Sequence, residues 1–131
     1  MKKIFALLLP LMVLLASCQK NQYIIPNRTI IVDLGPNRWI ASNGGRNYTA
    51  EIDMPEITDD FNERGGVLAY VSFGDRTYEQ LPQVYNGVSY SYVTRPGQLV
   101  IELQSSDGTT VINRPGGEVT VKIVLVESEY E

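Results

Sequence analysis

The residues best able to do chemistry are six acids packed into one stretch: Glu51, Asp53, Glu56, Asp59, Asp60 and Glu63. Glu51 and Asp53 stand two apart, so on a strand they point the same way, the arrangement that presents paired carboxylates for glycoside chemistry. The plainer reading of the same spacing is a solvent-facing row on a strand whose Tyr48, Ala50 and Ile52 face the core. Asp59, Asp60, Asn62 and Glu63 also offer hard oxygen ligands to calcium. Against the EF-hand template Asp60, Asn62 and Gly65 fit the first, third and sixth positions, but Arg64 at the fifth and Val71 at the twelfth break it. A looser calcium loop and a solvated turn are the readings left. The chain has no histidine and a single cysteine, Cys18. That removes Ser-His and Cys-His nucleophiles and the usual zinc sets, so the expectation is no catalytic residue and no cofactor.

Aromatic rings are the second resource. Trp39 accompanies tyrosines at 48, 70, 78, 85, 90 and 92, and Tyr90 and Tyr92 share one face of a strand. Flat rings exposed on a sheet bind sugars or a partner at low entropic cost. Trp39, Tyr90 and Tyr92 are therefore the candidate contact residues, set against the alternative that such rings fill or border the core. The glycines fall at turns without the strand-loop-helix context of a phosphate-binding loop, so nothing points to a nucleotide.

Cys18 belongs to a different chemistry. Lys2 and Lys3 precede an apolar run from Ile4 to Leu15, and small residues follow, the three parts of a secretory leader. About twelve apolar residues fall short of the roughly twenty needed to span a bilayer core. Leu15-Ala16-Ser17-Cys18 resembles the bacterial lipobox. The resemblance implies that the Cys18 thiol receives a diacylglycerol and that cleavage before it removes residues 1–17 as a lipoprotein signal peptide. Two or three acyl chains then hold the protein on a membrane where one barely would.

Residues 18–27 read as an acylated cysteine and polar tether, reaching no more than roughly 30 Å when extended. Removing residues 1–17 from the 131 leaves 114, the size of one domain. This part holds nine lysines and arginines against fifteen acids, a formal charge of −6. Such a balance excludes a nucleic-acid partner and electrostatic docking on anionic lipid. With no cysteine after Cys18, disulfides cannot staple the fold.

Beyond the tether, turn formers recur every 8 to 12 residues or so, among them Asn43-Gly44-Gly45, Asn86-Gly87, Pro96-Gly97 and Asp107-Gly108. Between them the apolar pattern has period two. Val67, Ala69, Val71 and Phe73 share one strand face and Leu68, Tyr70 and Ser72 the other; Val119, Val121, Ile123 and Leu125 repeat the pattern near the end. Both strands read as central and covered on both sides. Further strands are expected at 28–33, 38–42, 48–54, 77–80, 89–94, 98–104 and 109–113, the last two joined through Asp107-Gly108 as a two-residue I′ hairpin. Thr58 to Arg64 reads as one helical turn, capped by Thr58 and stopped by Gly65-Gly66, crossing between layers. The expected fold is all-β: an antiparallel β-sandwich of seven to nine strands over residues 28–128, immunoglobulin-like or a related Greek key.

Gly66-Val67-Leu68-Ala69-Tyr70-Val71, Gln80-Leu81-Pro82 and the closing Val119–Val126 strand, with Trp39 and Ile57-Thr58 upstream, resemble small β-sandwich lipoproteins of the Bacteroidota. The likeness covers most of the chain after the leader and implies fold and cell envelope, without a catalytic residue. Outer-face lipoproteins of that group tend to carry acids just after the cysteine, where this chain has Gln19, Lys20, Asn21 and Gln22. The departure implies an outer-membrane protein facing the periplasm. The expected function is a membrane-anchored, non-catalytic binding or structural module with an envelope protein or glycan as partner. The alternatives are a carbohydrate-binding module and a carboxylate-dependent enzyme acting on glycan.

Overall fold

The computed structural model describes residues 25–131. The expected leader, Cys18 and the expected tether up to residue 24 lie outside the described residues. Among those described, the chain makes β1 (Arg28–Leu34), β2 (Ile40–Ser42), β3 (Asn47–Met54), α1 (Asp59–Arg64), β4 (Gly66–Ser72), β5 (Glu79–Gln80), β6 (Gln83–Tyr85), β7 (Val88–Arg95), β8 (Gly97–Ser105) and β9 (Val119–Val126). Every pairing is antiparallel. One sheet has four strands in the order β1-β9-β4-β5, the other five in the order β2-β3-β8-β7-β6. The protein is an antiparallel β-sandwich with one short helix.

Period-two alternation sets which side of each strand is dry. In β9, Val119, Val121, Ile123 and Leu125 are buried while Thr120, Lys122, Val124 and Val126 are half-exposed. Ala69 and Val71 of β4 meet them across the register, Ala69 opposite Ile123 and Val71 opposite Val121. The facing layer supplies Ala50, Ile52 and Met54 from β3 and Leu99, Ile101 and Leu103 from β8. β4 and β9 are central in their sheet, as their composition implies. Apart from buried Ser72 at the end of β4, their outer face is only half covered, a correction to the expectation of cover on both sides: no layer packs there among the described residues.

The helical turn forms as its residues dictate. Thr58 is the N-cap, its Oγ1 accepting from the Phe61 N–H at 3.1 Å, and Asp59 and Asp60 occupy the positive end of the helix. Arg64 in the last turn grips Asp60 at 2.6 Å and Glu127 at 2.5 Å, which raises the guanidinium's affinity for its proton further. Phe61, 2 % exposed, is the side chain the helix buries, a contribution of about 2 to 3 kcal/mol. A Cβ on Gly65 would stand 2.5 Å from that ring, so only glycine lets Phe61 fold beneath the helix end. α1 carries the chain from the five-stranded to the four-stranded sheet, the crossover expected of it.

Three local expectations are corrected. The first strand boundary to move is 38–42, because Pro36–Arg38 forms a 3-10 turn and pairing begins only at Ile40. The expected strand at 77–80 shrinks to Glu79–Gln80. The third correction concerns the two-residue I′ hairpin, which lies at Asn86-Gly87, not Asp107-Gly108. Asn86 and Gly87 take φ 49° and 75° between paired Tyr85 and Val88, the left-handed values such a turn needs, and they join β7 to a strand, β6, that sequence reading missed.

At the other dipeptide only Gly108 has positive φ, and residues 109–113 form no strand. The Asp107 carboxylate decides this by folding back on its own loop. It accepts from Thr109 N–H and Thr110 N–H, both at 2.9 Å, and from the Ser105 hydroxyl at 2.5 Å. The segment then runs as a loop pinned by Ile112 N–H to Gly45 O at 3.0 Å and by the Arg46 guanidinium on Thr109 O at 2.9 Å.

These hydrogen bonds, led by those from Ser105 and Thr110, hold the Asp107 carboxyl well below the usual carboxylate range. A lowered folded value contributes stability that is present above the ordinary value of 3.8 and lost as pH falls through the folded one. Asp107→Asn keeps the shape but not the charge. Its deficit against the wild type in denaturant unfolding should be widest near neutral pH and should narrow below about pH 4. A deficit unchanged from neutral to acid pH would show that the ionised carboxylate does not stabilise the loop.

Candidate functional site

The six acids are dispersed by the fold. Glu51 and Asp53 stand exposed on the outer face of β3, beside buried Ala50, Ile52 and Met54, the plainer of the two readings of their spacing. Gln98 Nε2 donates to Glu51 Oε2 at 3.4 Å, and the Glu51 backbone carbonyl accepts from Arg38 at 2.7 Å. Glu56 is half-buried in the turn after β3, and Glu63 is exposed on α1. Asp59, Asp60, Asn62 and Glu63 ride a helix, so their side chains fan around its axis, and Asp60 is engaged by Arg64. Among the described residues no three His, Cys, Asp or Glu side chains are grouped to hold a metal ion.

The aromatic candidates are placed differently from one another. Trp39 is 1 % exposed in the core, its indole N–H without a hydrogen-bond partner, so it is packing and not a platform for a ligand. Tyr90 is 8 % exposed and Tyr92 half-buried, side by side on the inner face of β7. Burial, reinforced by Tyr85 at Tyr90, pushes both phenols above their ordinary value, so they stay neutral donors.

Tyr90 and Tyr92 instead mark one side of the sandwich that the strands do not close. β5 pairs only with Tyr70 and Val71 of β4, and β6 only with Val88–Tyr90 of β7. Between them the chain changes sheet at Leu81-Pro82, where proline has no N–H to continue a ladder. The start of β4 and the end of β7 are therefore unpaired on this side among the described residues. Between them lies an open cleft of about 370 Å³ lined by Val67, Pro82, Ser91, Tyr92 and Thr94. The Tyr92 hydroxyl donates across it to Val67 O at 2.5 Å, and Leu81 N–H to Ala69 O at 2.9 Å, each satisfying an edge carbonyl of β4.

At the far end of this side the sheets part around three rings. Phe73, just past β4, stacks on Tyr85 of β6 at 5.6 Å between centroids and 22° between planes, and meets Tyr90 edge-on at 5.7 Å. Phe73 and Tyr85 are 44 % and 48 % exposed. Sequence reading placed Phe73 on the dry face of β4 and did not single out Tyr85. Alternation does continue to Phe73, but the strand ends at Ser72, so the ring caps the end of the core instead of lying within it.

What the arrangement can do is bind. Aromatic faces and an apolar cleft edge supply contact area, and Ser91, Tyr92 and Thr94 add hydroxyls to the cleft lining. Fold and site define an antiparallel β-sandwich with an open, aromatic-ended side. No protein-family model, curated protein or solved structure matches this chain.

Proposed function

We infer that the protein is a membrane-anchored cell-envelope lipoprotein whose sandwich is a non-catalytic interaction module, engaging a protein partner along its open side. The stacked and half-exposed Phe73–Tyr85 pair carries the reading. Such rings offer a large rigid area that loses little entropy on binding, and here they continue into a cleft with unpaired strand edges. The dispersal of the acids onto outer surfaces speaks for binding over glycan hydrolysis. The lipobox and the acidic balance speak for attachment through acyl chains, with the outer membrane facing the periplasm as the address.

A photoreactive phenylalanine in place of Tyr85, in the anchored chain inside the producing cell, tests this. Expected is one discrete protease-sensitive adduct that is absent when the probe replaces Val93 on the outer face of β7, and lost when Phe73→Ser is added. No adduct at 85, or the same adduct from both positions, counts against the reading. An adduct resistant to protease but removed by glycosidases would turn it toward the carbohydrate-binding alternative.

A further inference from the structure

The four outermost strands of the two sheets are not equally protected. β2, β5 and β6 have only three, two and three residues. The stretch of β3 that β2 leaves uncovered has its Glu51 carbonyl capped by Arg38, and Pro82 interrupts the chain between β5 and β6. β1 is unlike them. It runs seven residues in unbroken register with β9, without proline, lysine or bulge, and no described strand pairs with its other edge.

The register fixes which groups that edge presents. Leu81 N–H bonds to Ala69 O, so odd residues of β4 turn their backbone polar groups toward β5 and even ones toward β9. Leu68 opposite Val124 and Tyr70 opposite Lys122 are then hydrogen-bonded pairs, and β9 uses its odd residues on β1. Those meet Arg28, Ile30, Val32 and Leu34. The N–H and C=O groups of Thr29, Ile31 and Asp33 are left facing outward. Their side chains are all exposed on the outer sheet face, Ile31 at 58 %.

We propose that this edge pairs with the same edge of a second copy, antiparallel about a two-fold axis through Ile31. That register sets Ile31 opposite Ile31 and Thr29 opposite Asp33 twice, and every outward group of the edge gains a partner. A shift of two residues either way leaves Thr29 or Asp33 unpaired, and a shift of one puts a dry face beside a wet one. Side chains agree with the backbone: the Asp33 carboxylate, whose Oδ1 accepts from the Thr120 hydroxyl at 2.7 Å within its own copy, has its other oxygen to accept from the Thr29 hydroxyl of the second, while the two Ile31 side chains cover each other. Asn27, just ahead of β1, is fastened to the β9 side by Glu127 N–H at 2.9 Å. The four-stranded sheets join into one continuous sheet, independently of how the protein is anchored or what its open side binds.

The full-length chain in mild detergent tests this by its mass. The wild type should be a dimer. Ile31→Lys sets two ammonium groups opposite each other and should halve the mass with circular dichroism unchanged, since Ile31 is exposed within one copy. With Cys18→Ser in place, Ile31→Cys should oxidise to a covalent dimer, because a hydrogen-bonded pair spaces its Cα atoms about 5.5 Å apart, within disulfide range. Ile40→Cys, equally exposed on β2, should not. A monomeric wild type, as results if residues 18–24 cover the edge, overturns the proposal. So does Ile31→Cys crosslinking no better than Ile40→Cys.

Discussion

Val71→Asp should remove a large part of the protein's stability. Val71 is 2 % exposed, mid-strand in β4, facing the inter-sheet core with Val121 beside it in the ladder. Among the described residues the only buried polar side chains are Ser72 and Ser105, so the carboxylate would be desolvated without a cationic partner. The cost is on the order of 4 kcal/mol or more, against about 5 to 15 kcal/mol for the whole stability of a typical domain. Denaturant unfolding of the chain begun at Gln19 measures it. A midpoint near that of the wild type would mean that the interior at Val71 is wet. Alternation alone makes Ser72→Asp the milder change, since residue 72 faces the other way. The structure reverses that expectation: Ser72 is also 2 % exposed and its hydroxyl has no partner. Ser72→Asp should therefore be damaging as well.

Cys18→Ser, placed behind a leader whose removal does not depend on Cys18, should move the protein from the membrane pellet to the soluble fraction almost completely. Each buried methylene contributes about 0.8 kcal/mol to membrane attachment, so the acyl chains the lipobox implies would account for nearly all of it. Nothing among the described residues is placed to replace them. No helix among the described residues is long and apolar enough to cross a membrane, and the chain after residue 17 is acidic, so it is not drawn to anionic lipid. Quantitative blotting of pellet and supernatant decides the matter. A serine variant that pellets as fully as the wild type would leave lipidation without a role.

The sequence by itself determined what short-range chemistry controls. Alternation gave the dry faces of β3, β4 and β9, since one turn of the pleat carries that information. Thr58, two acids and Gly65 gave α1 with its ends, since capping is satisfied within a few residues. The solvent-facing reading of Glu51 and Asp53 followed from the same period.

Tertiary structure decided what depends on chain brought from far away. Trp39 is dry because the two layers close over it, and nothing in its neighbours separates that from a ring on a surface. Phe73 and Tyr85 meet only because β4 and β6, in different sheets, end at the same corner of the sandwich. Ser72 is buried on a face that its neighbours in sequence mark as the wetter one. Asp107-Gly108 and Asn86-Gly87 are nearly equivalent as dipeptides. What separates them is that Val88–Tyr90 is positioned to pair with Gln83–Tyr85, while Asp107 spends its carboxylate on its own loop, whose Ile112 is held instead by Gly45. Hydrogen bonds across more than sixty residues, from Ile112 to Gly45 and from Arg46 to Thr109, hold that loop in place, and no local pattern encodes them.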